Sequence, residues 1–303
     1  MLTAGIDLAA EDANTAVAWI RWTATGAVLE ELTVGAGDDQ LLRAASAAVK
    51  AGIDCPLGWP EPFVEFLIAH HRRDPAAPTD PIGRDWRRRL AWRRTDLVTH
   101  ELTGRLSLSV AADRIAHTAM RCAALLARLA EVGHSVDRSG RGRVFEVYPA
   151  ASLKKWGLPH RGYKGRQNIG PLNNLVNLLI AAAPWLHLGE FEPMCRGSDH
   201  AVDAVVAALT ARAAAIGQAT RPGPADLAAA TTEGWIALPT APLTSLTTSA
   251  GRVDGILTDT PWRGPGWPTQ SGAVLTPPVR MSTTGSNGSR ASRRRSTRHS
   301  TSE

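Results

Sequence analysis

This sequence predicts an α/β protein with a mixed five-stranded sheet, three antiparallel strands followed by parallel ones, and three observations carry that reading. Three strand-like segments follow one another within the first 34 residues, before any helical periodicity appears. A helix-forming stretch then leads into a fourth strand-like segment, and a long helical region separates that from a fifth. A length of 303 residues with 44% hydrophobic content is enough to bury a real core.

The elements run as follows. Residues 3–10 read as a short apolar strand, and Thr15 to Thr23 as a second, rich in strand-forming types such as Val17, Trp19 and Ile20. Gly26 marks the turn into a third, Val28 to Val34. Gly35-Ala36-Gly37-Asp38 breaks the pattern, and Asp38 or Asp39 caps a helix expected from Gln40 to about Lys50. The segment from Gly52 through Pro60 is a strand ending in turn residues, and Pro60, Glu61 and Pro62 open a helix from Phe63 to His71. Residues 72–96 are polar, arginine-rich and interrupted by Pro75, Pro78 and Pro81, which predicts an inserted loop or flap. Ile115, Cys122, Leu126 and Leu129 recur at helical spacing within 110–133, and Gly133 stops that helix. Arg143 to Tyr148 is the fifth strand, ended by Pro149. Residues 171–182 form an apolar helix, Ser198 caps a longer one through Ala215, and Trp235 to Leu238 adds a last short strand. Beyond about residue 244 the chain is Ser, Thr, Gly, Pro and Arg with little to bury, so a body of 1–243 and a disordered tail of 244–303 are expected.

The formal charge of +6 divides unevenly. Eight arginines against three acids give the tail +5, which leaves the body at +1. The basic character therefore belongs to the tail, whose Arg293-Arg294-Arg295 cluster suits weak, salt-sensitive contact with polyanions. Three widely spaced cysteines (Cys55, Cys122, Cys195) support neither a disulfide framework nor a zinc site, and they suit a reducing cytoplasm. No apolar run reaches membrane-spanning length and the first residues do not read as a secretory signal, so a cytoplasmic protein is expected. Oligomeric state leaves no mark in the sequence.

Carboxylates sit where strands should be apolar. Asp7 follows Ala4-Gly5-Ile6, Asp54 follows Ile53 at a tight turn, and Glu146 lies between Phe145 and Val147. Asp199 and Asp203, four apart near a helix start, project from one face. A charge in a buried strand costs several kcal/mol unless it is paired or metal-bound. Three strands each placing one acid in this way suggest divalent cations held by oxygen ligands. Taken singly, Asp54 also suits a side-chain-capped turn and Asp199 a helix first turn, while Asp203, flanked by Val202, Ala204 and Val205, is the better ligand of that pair.

Gly5-Ile6-Asp7-Leu8-Ala9, Ile53-Asp54-Cys55-Pro56-Leu57-Gly58-Trp59-Pro60, Arg94-Thr95-Asp96, Val144-Phe145-Glu146-Val147-Tyr148-Pro149-Ala150 and Asp199-His200-Ala201-Val202-Asp203-Ala204 occur in that order. Over roughly residues 2–240 this resembles the family called domain of unknown function 429, often described as predicted nucleases of ribonuclease H-like fold. The resemblance implies that fold, with residues 62–140 as a helical insertion between the fourth and fifth strands. It also implies a cluster in which Asp7 lies at the centre of the sheet and is completed by Asp54 and Asp203, with Asp199 and Glu146 as further candidates. Two Mg²⁺ or Mn²⁺ ions there would activate water against a phosphodiester of DNA or RNA.

Arg84-Asp85-Trp86-Arg87-Arg88-Arg89-Leu90-Ala91-Trp92-Arg93-Arg94 joins basic groups to two tryptophans. That suits either a grip on nucleic acid or a solvated loop whose tryptophans pack on the body. Within the family pattern Arg94 is expected to reach a phosphate, held by Asp96. Lys164, on a loop after the fifth strand, is a candidate phosphate contact, although a surface lysine is the commoner case. His200 lies near enough to the acids to relay a proton, although a helix-surface histidine is the commoner case. Two rival readings remain. One is a non-catalytic nucleic-acid or protein-binding module on the same fold. The other is an actin- or sugar-kinase-like nucleotide-binding protein, which also begins Gly-Ile-Asp but needs a second copy of the fold that this chain, without an internal repeat, does not offer.

Overall fold

A computed structural model describes residues 1–74 and 82–247. Within them β1 (Leu2–Asp7), β2 (Ala16–Trp22) and β3 (Ala27–Val34) form an antiparallel meander. Helix α1 (Asp38–Ala47) returns the chain to β4 (Lys50–Asp54), which pairs parallel with β1. Helices α2 (Glu61–His71), α3 (Arg84–Ala91), α4 (Arg94–Thr103) and α5 (Ile115–Glu131) follow, and then β5 (Val144–Val147), parallel to β4. The remaining elements are α6 (Pro149–Lys155), α7 (Ile169–Ala182), β6 (Leu186–His187), α8 (Glu192–Gly197), α9 (Asp199–Ala215), α10 (Leu227–Glu233) and β7 (Ile236–Ala237). The strands lie in the order β6-β3-β2-β1-β4-β5-β7, antiparallel from β3 to β1 and parallel from β1 to β7, with β1 in the middle.

The mixed sheet therefore has seven strands among the described residues rather than five. The additions at its two edges are two residues long: β7 falls within the short strand expected at Trp235 to Leu238, whereas β6 is too short for an alternation to register in sequence. Helix α1 stops at Ala47 instead of reaching Lys50: Ala48 turns extended, the Val49 N–H donates to the Leu2 carbonyl, and Lys50 already pairs with Thr3. The expected flap contains α3, and α4 begins within it at Arg94; Pro75, Pro78 and Pro81 lie outside the described residues. Pro149 ends β5 as expected but also opens α6, because a proline at the first helical position has no N–H to leave unpaired. Folded structure continues past residue 243 to Thr247, with Leu243 and Leu246 buried against the core; the remainder of the expected disordered tail lies outside the described residues.

Side-chain alternation along β1 sorts its residues between two layers. Ala4, Ile6 and Leu8 pack with Leu41 and Ala44 of α1 and Leu125 and Leu129 of α5. Thr3, Gly5 and Asp7 face the other way, toward α9. That helix is buried from Ala201 to Ala213 and lies flat across the sheet. Two glycines paired side by side, Gly5 of β1 and Gly52 of β4, make the close approach possible. A Cβ on Gly5 would sit 2.0 Å from the Ala204 carbonyl oxygen, and one on Gly52 would sit 2.9 Å from that of Ala207. Alanines on the helix meet glycines on the strands, so backbone packs against backbone. An apolar layer of this depth brings any carboxylate at its rim close to the strand ends.

Candidate functional site

Asp7 is the last residue of β1 and Asp54 the last of β4, and parallel pairing sets them in register. Asp203, in the second turn of α9, is carried to the same edge by the Gly5–Ala204 contact. One carboxylate oxygen from each of the three lies within 4.8 Å of the others. The strands thus end in an acidic cluster at their carboxyl edge, where ligands of open α/β sheets bind.

Each acid has a different set of partners. Asp203 is buried; its Oδ1 accepts from the Tyr163 hydroxyl at 2.8 Å and its Oδ2 meets the Lys164 Nζ at 2.6 Å. Asp7 Oδ2 lies 2.6 Å from His200 Nδ1. Asp54 is half-buried, and no hydrogen bond or ion pair reaches its carboxylate among the described residues. Burial raises the proton affinity of Asp54 well above the usual carboxylate range; Lys164 opposes this, and Asp7 and Asp203 add to it. Asp203 is raised for the same first reason, with Lys164 again opposing. Burial lowers the proton affinity of Lys164, but the Asp203 and Asp54 charges outweigh it and raise the group well above an ordinary lysine. The hydrogen bond to Asp7 raises that of His200, burial notwithstanding.

The structure brings Asp7, Asp54 and Asp203 together and sets Asp199 beside them in a supporting position. Asp199 Oδ2 accepts the Gly165 N–H at 3.0 Å, which ties the Tyr163-Lys164-Gly165 loop to the start of α9, itself capped by Ser198 as its sequence suggests. His200, which sequence reasoning ranked as a surface residue, contacts Asp7 directly. Tyr163 carried no sequence signal beyond sitting next to Lys164, and its role as a donor to Asp203 was missed.

Glu146 is placed elsewhere, and register gives the reason. Ile6, Ile53 and Glu146 form one row across β1, β4 and β5, one residue short of the Asp7–Asp54 row, so Glu146 faces the opposite side of the sheet. There it is sealed against Arg93 in a two-pronged ion pair, Nη1–Oε2 at 2.7 Å and Nη2–Oε1 at 2.6 Å. Oε2 also accepts the Leu57 N–H. Arg93 reaches on to both oxygens of buried Asp96, and Ser107 donates to Asp96 Oδ1. Asp96 therefore holds the arginine before the expected one. Arg94 points away to Asp226, at 2.7 Å, and its backbone N–H goes to Glu233. The two tryptophans of this segment pack on neighbours: Trp86 lies edge-on to Phe66, and Arg88 covers Trp92. All three cysteines are free and buried.

Three carboxylates with oxygens this close together, one of them without a hydrogen-bonding partner among the described residues, could hold a hard divalent cation. The Lys164 ammonium against Asp203 neutralises part of that negative charge. No helix among the described residues is long and apolar enough to cross a membrane. The sequence profile of the family described as "Protein of unknown function (DUF429)" matches residues 5–227. No curated protein and no solved structure matches the chain.

Proposed function

The chain belongs to the DUF429 family, and from that premise we propose that it is a divalent-metal-dependent nuclease of ribonuclease H-like fold, hydrolysing phosphodiester bonds of DNA or RNA. The observation that carries this reading is the convergence of Asp7, Asp54 and Asp203 from two adjacent parallel strand ends and one helix, with oxygens within 4.8 Å. The meander β3-β2-β1 continued by parallel β4 and β5 is the strand order that such a fold requires.

Asp7, Asp54 and Asp203 would hold Mg²⁺ or Mn²⁺, which when bound supplies Lewis acidity toward a phosphoryl oxygen and a more acidic water. The chain's own groups do the rest. Asp54, with no hydrogen bond or ion pair among the described residues, is the carboxylate most available to a cation. Tyr163 fixes Asp203 in one rotamer, and Asp199 anchors the loop that carries Lys164. Lys164 provides a positive charge at the pocket rim, where a phosphate oxygen would approach. His200, held by Asp7 through Nδ1, keeps its other ring nitrogen for a proton exchanged with substrate or water. Glu146 has no part in this chemistry; its carboxylate is committed to Arg93.

The test is Mn²⁺-dependent cleavage of labelled single-stranded, duplex, hybrid and branched oligonucleotides by the full chain, with Asp7→Asn in parallel. Cutting by the parent and not the variant supports the reading and names the substrate. A folded parent that cuts none of them, with or without metal, overturns it in favour of a binding role.

A further inference from the structure

A second charged cluster lies at the same edge of the sheet and is opposite in sign. Tyr148 follows β5, whose neighbour β4 ends in Asp54. The Arg105 guanidinium stacks on the Tyr148 ring at 5.6 Å from its centroid and donates from Nη2 to its hydroxyl at 3.3 Å. The Arg105 Nε is buried and has no hydrogen-bond partner. Lys154, in the last turn of α6, places its Nζ 3.6 Å from where a Cβ on Gly104 would stand, so its ammonium lies beside the Gly104-Arg105 step. His160 holds its Nδ1 3.2 Å from the Leu158 carbonyl oxygen; burial lowers its proton affinity, the Leu158 contact raises it, and the charges of Arg105, Lys154 and Arg161 lower it further. No carboxylate pairs with Arg105, Lys154 or Arg161 among the described residues.

Helix ends do not account for so much positive charge. The C-termini of α4 and α6 meet here and supply about half a negative charge each, against three full cations. Helix-capping also leaves the buried Arg105 Nε unexplained, since an unpaired buried donor costs about 1–3 kcal/mol. Chain geometry ties the cluster to the acidic pocket. Arg161 is two residues from Tyr163, which bonds Asp203, and two residues span at most about 7 Å.

We propose that Arg105, Lys154 and Arg161 form a docking site for the phosphodiester backbone of a single nucleic-acid strand, holding phosphates beside the one positioned at Asp7, Asp54 and Asp203. The ligand's identity as nucleic acid rests on the function proposed above; the anion site itself rests on the unpaired cations. Tyr148, already a platform for Arg105, fits base or sugar stacking next to such a backbone.

The experiment uses the full chain and short fluorescein-labelled single-stranded DNA and RNA in EDTA. The double charge reversal Lys154→Glu/Arg161→Glu, at sites not buried in the core, is expected to weaken binding at least about 10-fold. It should also flatten the log–log salt dependence by roughly 1.4, since each lost single-strand phosphate contact is worth about 0.7. The His160 ring resonances are expected to shift with oligonucleotide, and to do so equally in Arg293→Ser/Arg294→Ser/Arg295→Ser, which weakens any contribution of the tail. Unchanged affinity and salt slope in the double reversal, or no binding by the parent at low salt, overturns the site. Inorganic phosphate moving His160 as far as the oligonucleotide does overturns the backbone reading in favour of a free-phosphate pocket. Binding that depends on these residues without Mn²⁺-dependent cutting leaves the site standing and removes the nuclease. Cutting with an unchanged KM in the double reversal does the converse.

Discussion

Two groups of acids lie on opposite faces of the same three strands, and they differ in how completely they are satisfied. Glu146 and Asp96 clasp Arg93 between them, with the Leu57 N–H and the Ser107 hydroxyl taking further lone pairs; Arg93 is 1% exposed. Burial lowers the proton affinity of Arg93, but the two carboxylates outweigh it and raise the group above an ordinary arginine. Nothing is left over to bind anything else. Asp7, Asp54 and Asp203 share one lysine and one histidine, both partly exposed, and Asp54 accepts no hydrogen bond among the described residues. A buried acid in an apolar strand is thus a poor guide to function by itself. Unmet valence among such acids is the better one.

Removing one charge from each group should separate the two. Arg93→Met leaves two buried carboxylates unpaired, a loss of about 3–5 kcal/mol in denaturant unfolding. Asp7→Asn removes one of three mutually repelling charges and keeps a side-chain oxygen for His200, so it is expected to shift the same measurement by less, on the order of 1 kcal/mol. Equal losses in the two variants would erase the distinction between a structural and a functional cluster.

Added Mn²⁺ sharpens the contrast from the other side. At 100 times its Kd, a cation binding only the folded chain adds about 2.7 kcal/mol of stability. Calorimetry should show that gain in the parent, its loss in Asp203→Asn, and its retention in Ser107→Ala, which touches only the sealed network. A gain that survives Asp203→Asn would place the cation elsewhere.

The smallest expected effect concerns a half-buried cation that has carbonyls for partners. Lys50, at the far end of β4, donates to the Arg141 and Gly142 carbonyls, and burial, with help from Arg221 and Arg143, pushes it down to about 8. Its unfolded value is about 10.4. Between those values the unfolded chain binds more protons, so this group's contribution to stability rises as pH climbs through that window. Lys50→Met should flatten the rise, an effect on the order of 1 kcal/mol given the group's partial exposure. A stability curve of the same slope in both proteins would show that carbonyl oxygens alone keep Lys50 charged.

Local chemistry made the first five strands, the short last one, α5, α7 and α9 legible. Ala4-Gly5-Ile6-Asp7 and Ile53-Asp54 are strand sequences ending in an acid, and Ser198 is a helix cap whichever protein contains it. Asp7, Asp54 and Asp203 could be singled out because a carboxylate among apolar neighbours stands out in one dimension. Other features depend on relations that sequence does not contain. Glu146 stands out equally well, yet β5 pairs with β4 in a register that turns it to the opposite face, and a shift of one residue would have reversed the outcome. Arg93 and Arg94 are chemically identical neighbours; the path of the chain into α4 buries the first against Glu146 and leaves the second at the surface with Asp226. His200 reaches Asp7 because Gly5 and Gly52 let α9 lie directly on the sheet. The sequence alone determined which residues carry charge and which segments take up regular structure, since both follow from local side-chain chemistry. Only the tertiary structure decided which charges meet, because that depends on strand register and on how closely one helix approaches two glycines.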